Sequence, residues 1–256
     1  MTPLQSGLTP TCATHADRTS VGTCERCGRF MCELCRGGGN KCVDCVMRER
    51  QALPDAGGRA RLATYGLIAG AAIDGLGVLV SALTVAFAGG SQPTDFNVFD
   101  IANGLVGLMQ TVVFLTTGIL FLRWWHLMAR HAEARGIQLG ATPGWAVGYW
   151  FIPFANLVRP VKIASAAANG FGVTAPIGGW WALWILSNIA SQVSARMNLS
   201  EMSTGGGNVS AVADLIDGVL SVPAALLCVA VVRAIQKGID AANAPPRSSA
   251  GLSTAA

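Results

Sequence analysis

Residues 62–87 read LATYGLIAGAAIDGLGVLVSALTVAF. Asp74 is the one charge in this run, and about 20 apolar residues in a helix cross a hydrocarbon core of about 30 Å. Three further runs of the same kind follow, at about 101–122, 177–195 and 212–232. Small residues recur in all four, which lets helix backbones approach closely in lipid. Composition agrees: 52% of the chain is hydrophobic and 12% charged, where soluble domains carry about 25% charge. The sequence therefore predicts an α-helical integral membrane protein of about four transmembrane helices, with the lipid bilayer as its first partner. No signal peptide is expected, because MTPLQSGLTP has neither a basic nor an apolar region.

Lysine and arginine set the expected orientation. With the N-terminus inside, the inner segments hold Arg48, Arg50, Arg59, Arg61, Arg123, Arg130, Arg135, Arg159, Lys162, Arg233, Lys237 and Arg247, while the outer loops hold Arg196. Twelve against one places both termini in the cytoplasm, in a cell (inner) membrane. The first outer loop carries Asp95 and Asp100 instead.

The segment 143–168 is unlike the spans. Its uncharged core, Pro143–Val158, is too short to cross comfortably, and Pro153 and Pro160 interrupt the segment. A proline frees the carbonyl four residues earlier, here on Tyr149 and Asn156. Irregular backbone at membrane depth survives only where protein or water satisfies it. The reading is a broken interfacial or re-entrant segment, with an amphipathic connector as the plainer alternative. All seven tryptophans lie here or at the inner ends of spans, where interfacial Trp belongs. Trp145 and Trp150 should pack on Trp180, Trp181 and Trp184.

Upstream of the spans, seven of the eight cysteines fall between residues 12 and 45. The pattern is Cys12-x2-His15-x8-Cys24-x2-Cys27-x4-Cys32-x2-Cys35-x6-Cys42-x2-Cys45. Four pairs at two-residue spacing give eight ligands, enough for two tetrahedral zinc ions. The histidine and the even split favour zinc over an iron–sulfur cluster. Both sites would be filled by protein ligands and so structural. Phe30 and Met31 are the main apolar residues of this stretch, so metal must supply its folding energy. Arg18, Arg26, Arg29, Arg36 and Lys41 can offset the thiolate charge. With a net charge of +4 and no long basic run, nucleic acid is not an expected partner. Spacing alone leaves the pairing of ligands open.

The cluster resembles a B-box-type zinc finger, whose first pair is also Cys-x2-His and whose pairs interleave in a cross-brace. That resemblance implies Cys12, His15, Cys32 and Cys35 on one zinc and Cys24, Cys27, Cys42 and Cys45 on the other. It also implies protein interaction as the domain's work. The last pair departs from the pattern, being Cys-x2-Cys where B-boxes often have histidine.

A second resemblance lies further along. Phe121-Leu122-x-Trp124, Pro143-Gly144-Trp145-Ala146-Val147-Gly148-x-Trp150-Phe151-x-Pro153, Asn156-Leu157-x-Arg159-Pro160 and Trp180-Trp181-Ala182-Leu183-Trp184 resemble a bacterial membrane family, the domain-of-unknown-function 4328 family. The resemblance covers about residues 62–237 and implies architecture only. His131 stands where that family tends to have asparagine.

The expected organisation is a tail at 1–11, a zinc-binding domain at 12–46, a linker at 47–61, a membrane domain at 62–238 and a disordered tail at 239–256. Candidate polar residues of the membrane part are Asp74, Asn156, Arg159 and Asn188, since ionisable and polar groups in lipid are costly unless used. Asp74 could pair with Asn188 or a hydroxyl, and His126 and His131 read as interfacial. No Ser/His/Asp set, HExxH or phosphate-binding loop is present, so no enzyme is expected. The expected function is a membrane-anchored interaction, scaffold or regulatory protein, with a cytoplasmic protein partner on the zinc domain. The alternative is a small transporter or channel using the broken segment and Asp74, for which four spans would require a homo-oligomer. A RING-like ligase is a third reading, against which the composition argues.

Overall fold

A computed structural model describes residues 10–37, 40–83, 86–87, 98–204 and 209–244. Of the expected tails at 1–11 and 239–256, residues 1–9 and 245–256 lie outside the described residues, as does Asp95 of the first outer loop.

A short hairpin, β1 (Gly22–Thr23) and β2 (Phe30–Met31), pairs antiparallel with Gly22 opposite Met31. Helix α1 (Val43–Gln51) leads into α2 (Gly57–Leu83). Asp55 accepts from the Gly57 and Gly58 amides at 3.0 and 3.2 Å, satisfying donors that a helix start leaves orphaned. Gly57–Arg61 are thus helical, where a linker is expected from the sequence. Helices α3 (Val98–Glu133), α7 (Ile177–Thr204) and α8 (Val209–Asn243) complete the long elements. The chain stays helical to Asn243, with Ile239 fully buried, so the expected tail boundary at 239 is corrected. An apolar residue such as Ile239 keeps the last turns docked.

The long helices pack antiparallel in the order α3, α2, α8, α7. A Cβ on Gly66 would fall 2.7 Å from Thr117 Oγ1, and one on Gly77 would fall 3.3 Å from the Gln110 amide nitrogen. One on Gly218 would strike Val78, and one on Gly179 would meet Leu227. Glycines at these crossings let the backbones close up. Among the described residues, three helices are long and apolar enough to cross a membrane: Gly57–Leu83, Gly104–Glu133 and Leu215–Asn243. Helix α7 has the length, but Trp, Ser, Asn and Gln residues dilute its apolar run.

The segment after α3 is helical in pieces: α4 (Pro143–Gly148), a turn at Tyr149–Phe151, α5 (Pro153–Asn156) and α6 (Arg159–Gly170). Each proline stands in the first turn of a new helix, where its missing N–H costs nothing. The prolines therefore start helices here and do not break into a helix, as the sequence reading supposed. The breaks are Ile152, which is extended, and Val158. Tryptophan indoles satisfy nearby carbonyls: Trp125 Nε1 donates to Ala146 O at 3.0 Å and Trp181 Nε1 to Leu157 O at 3.1 Å.

Around these bonds lies the main core. Trp124 and Trp125 are 0% exposed and Trp180 is buried beside them. Trp150 meets Phe121, Trp125, Trp181 and Trp184 edge-on, with centroids 5.5–6.1 Å apart. These tryptophans form a core more than an interfacial belt. Trp145 does not join it: the ring is 55% exposed and meets Tyr149. His131, by contrast, is buried, 3.1 Å from the Pro54 carbonyl.

Candidate metal centre

Four local turns present the eight donors. Cys24 and Cys27 sit in the β1–β2 turn, closed by Cys24 N–H to Arg29 O and Gly28 N–H to Cys24 O. Gly28 has φ +72°, a conformation that glycine adopts without steric cost. Cys32 and Cys35 flank one tight helical turn, with Cys35 N–H on Cys32 O at 3.0 Å. Cys42 and Cys45 open α1. Cys12 and His15 lie in a loop held by Cys12 N–H to Arg18 O and Arg18 N–H to His15 O. Two residues of separation thus place both side chains of each pair on one side of a turn.

The folded chain gathers these pairs alternately. Cys12, His15, Cys32 and Cys35 form one group, and Cys24, Cys27, Cys42 and Cys45 the other, with ligand atoms of each group within 4.8 Å of one another. A tetrahedral ion with metal–sulfur bonds of about 2.3 Å sets its sulfurs about 3.8 Å apart. Cys12 and Cys35 Sγ are 3.7 Å apart, and Cys27 and Cys42 Sγ 3.8 Å. His15 turns Nδ1 inward, 3.2 Å from Cys35, 3.6 Å from Cys32 and 3.9 Å from Cys12. These spacings suit four donors around one ion, and both groups could hold a metal ion.

Electrostatics point the same way. The Thr14 backbone amide pulls the Cys12 thiol down to about 5, and the Cys42 amide, 3.2 Å from Cys24 Sγ, pulls Cys24 down to about 6. Burial, then the neighbouring Cys12, pushes Cys35 up to about 11, and burial with Cys42 pushes Cys45 up to about 12. Neighbouring thiolates repel one another, so each group needs a cation before all its thiols can ionise together.

The surrounding charges differ from expectation. Each of the five basic residues pairs with a carboxylate: Arg18 with Asp17, Arg26 and Lys41 with Glu49, Arg29 with Asp44, and Arg36 with Glu33. Lys41 Nζ donates to both oxygens of Glu49, and this contact, more than any other, holds Glu49 below the usual carboxylate range. Charge near the thiolates is thus already shared with acidic side chains. Met31 is buried among Cys24, Cys42 and Cys45, while Phe30 is 45% exposed.

The four candidate residues of the membrane part are not brought into one site. Asp74 accepts from Gln110 Nε2 at 3.1 Å, and not from Asn188. Asn188 Nδ2 donates to the Trp184 carbonyl of its own helix at 2.7 Å. Arg159 lies over the Tyr149 ring at 5.1 Å, and Asn156 Oδ1 is buried with no partner among the described residues. Sequence reasoning missed Gln110 and Gln236. Gln236 accepts from Trp124 Nε1 at 3.0 Å and donates to Asp240 at 2.7 Å. For Gln110 the signal was present, an uncharged polar interruption of an apolar run, whereas Gln236 lies among Arg233 and Lys237 beyond the last apolar run and had none.

Among the described residues, the stretch that follows the Cys/His cluster bonds to the helices at Arg50 and Pro54. Arg50 Nε donates to the Ala134 carbonyl at 2.8 Å, and His131 reaches Pro54. Arg135 then bonds His131 and Asn243 and lies over Phe171.

A family model described as "Domain of unknown function (DUF4328)" matches residues 89–237. No curated protein and no solved structure matches the chain.

Proposed function

We propose that this chain, which belongs to the DUF4328 family, is a membrane-anchored interaction or regulatory protein whose N-terminal domain is loaded with two structural zinc ions. The observation that carries the reading is the closure of both donor sets. Each has four protein ligands at tetrahedral spacing, which leaves no position for a substrate. Zinc suits three thiolates and an imidazole, or four thiolates, better than harder cations. The interleaved pairing is that of a B-box-type cross-brace. Val21, Leu34 and Met47 are exposed on the domain and offer a protein partner an apolar surface.

Four helices cross the bilayer in this reading, α7 being the fourth. It runs antiparallel along α8, with Ser191 on Asp217 at 2.7 Å, and turns Leu186, Ile189 and Val193 outward. The broken segment lies at the inner interface. Both termini and the Cys/His domain are cytoplasmic, as the charge asymmetry requires. The transporter reading has less support, because Asp74, Asn156, Arg159 and Asn188 stand apart.

Purified full-length protein should contain two zinc ions per chain by elemental analysis, and one or none would overturn the metal reading. Photo-crosslinkers at Leu34 and Met47 in cells should give a discrete protein adduct that disappears with Cys42→Ser. Adducts to lipid alone would refute the interaction role. A cysteine probe at Gly206 should label from outside and one at Ala250 should not.

A further inference from the structure

At the start of α2 and the end of α8 an open cavity of about 590 Å³ lies between the two helices, within the size range of small-molecule sites, about 300–1,000 Å³. Arg61 enters it from α2, and Arg233 and Lys237 from α8. All three are exposed, and none makes a hydrogen bond or ion pair among the described residues. The two carboxylates of the lining are already engaged. Asp55 caps the Gly57 and Gly58 amides, whose donation is the main reason its carboxyl is held low, and Asp240 accepts from Gln236. Gln236 is itself fixed by Trp124 from the buried core. The floor is therefore held in place and satisfied, while Arg233 and Lys237 above it make no hydrogen bond or ion pair among the described residues and Arg61 acts on Asp55 only through its field.

The surroundings identify the shape of a ligand. On α2, Arg61 is followed at helical spacing by Tyr65 and Ile68, both exposed and Tyr65 at 64%. On α8, Lys237 and Arg233 stand above Ala230 and the exposed Leu226. Residues four and three apart share a helix face, so each cation group caps an apolar stripe running into the span. A molecule that fills both features has an anionic head and an apolar body. Three cations against two carboxylates leave a formal lining charge of +1, which matches the single charge of a phosphodiester better than the double charge of a phosphomonoester.

We propose that this cavity binds the phosphodiester headgroup of an anionic membrane lipid, with Arg61, Arg233 and Lys237 as its phosphate ligands. Basic pockets between spanning helices hold anionic headgroups by the same physics, a local positive potential beside an apolar wall. The site is independent of the zinc domain: no donor of either metal group lines it.

The test uses the full chain in neutral detergent, with native mass spectrometry counting bound molecules. The probes are short-chain phosphatidylglycerol, the matching diacylglycerol and soluble glycerophosphoglycerol. Phosphatidylglycerol should bind where diacylglycerol at the same concentration does not. The double variant Arg233→Gln, Lys237→Gln should bind it about thirtyfold more weakly. Arg123→Gln, an exposed arginine outside the cavity, should bind normally. If glycerophosphoglycerol binds as tightly as the lipid, the phosphodiester site stands and its ligand comes from solution. Equal binding of phosphatidylglycerol and diacylglycerol overturns the proposal, as does equal affinity in the double variant and Arg123→Gln. Should the double variant melt early, Arg61→Gln on the other helix decides: unchanged affinity there also overturns it.

Discussion

In the Cys/His domain the buried interior is Met31 packed against Cys24, Cys42 and Cys45. At the tryptophan-rich end of the helices it is Trp124, Trp125 and Trp180 with Leu127, Met128, Ile163 and their neighbours. The two regions adjoin, linked through Arg50 and Ala134, yet hold together by different means. In the first, the candidate ligands are themselves most of the core, so in the proposed reading folding depends on a bound ion. In the second, aromatic burial does the work, and indole N–H groups close the backbone gaps that broken helices leave. Metal dependence should therefore stop at the boundary between them.

The largest expected effect tests that boundary. Chelation removes about 10–16 kcal/mol of binding free energy per structural zinc. Residues 10–51 should lose hydrogen-exchange protection, while α3 and α8 keep theirs. Loss of protection in all elements at once would show that the regions fold as one unit. Next, Trp125→Ala empties a buried site and takes the donor from the Ala146 carbonyl. It should cost about 3–5 kcal/mol in detergent unfolding, with metal content unchanged. A drop in bound zinc would break the comparison from the other side.

Smaller effects sharpen it. Arg50→Ala removes the bond to the Ala134 carbonyl and should cost about 1–3 kcal/mol, seen as faster exchange in residues 47–56. Protection there equal to wild type would show that this contact does not hold the two regions together. Asn156→Leu should raise the melting temperature, worth up to about 1 kcal/mol, because Asn156 Oδ1 is buried and unpartnered. A lowered melting temperature would show that the Asn156 side chain has a partner in the folded protein. Arg29→Gln breaks an ion pair with Asp44 at 4.0 Å between exposed side chains. It should change stability by less than about 0.5 kcal/mol, by chemical denaturation of the metal-loaded protein.

Much of this was legible because it depends on local spacing. The eight donors stand out by the two-residue interval that one turn of backbone requires. The apolar runs stand out because each helix must satisfy its own backbone in lipid. The prolines at 143, 153 and 160 mark the broken segment, although their role as helix starters depends on which residue precedes each one in extended or irregular backbone.

What the sequence by itself determined is the inventory: eight donors in four pairs, the apolar runs, the cations gathered on the inner side and the tryptophans gathered at one end. What only the tertiary structure decided is adjacency. Spacing along the chain cannot say whether neighbouring or alternate pairs share an ion, because each turn is satisfied either way until the hairpin and α1 fix their directions. For the same reason Asp74 meets Gln110 and not Asn188, and Arg61 meets Arg233 and Lys237 across a cavity. Residues 36 or more positions apart become neighbours through helix packing, and small residues such as Gly66 and Gly218 permit that packing at close range.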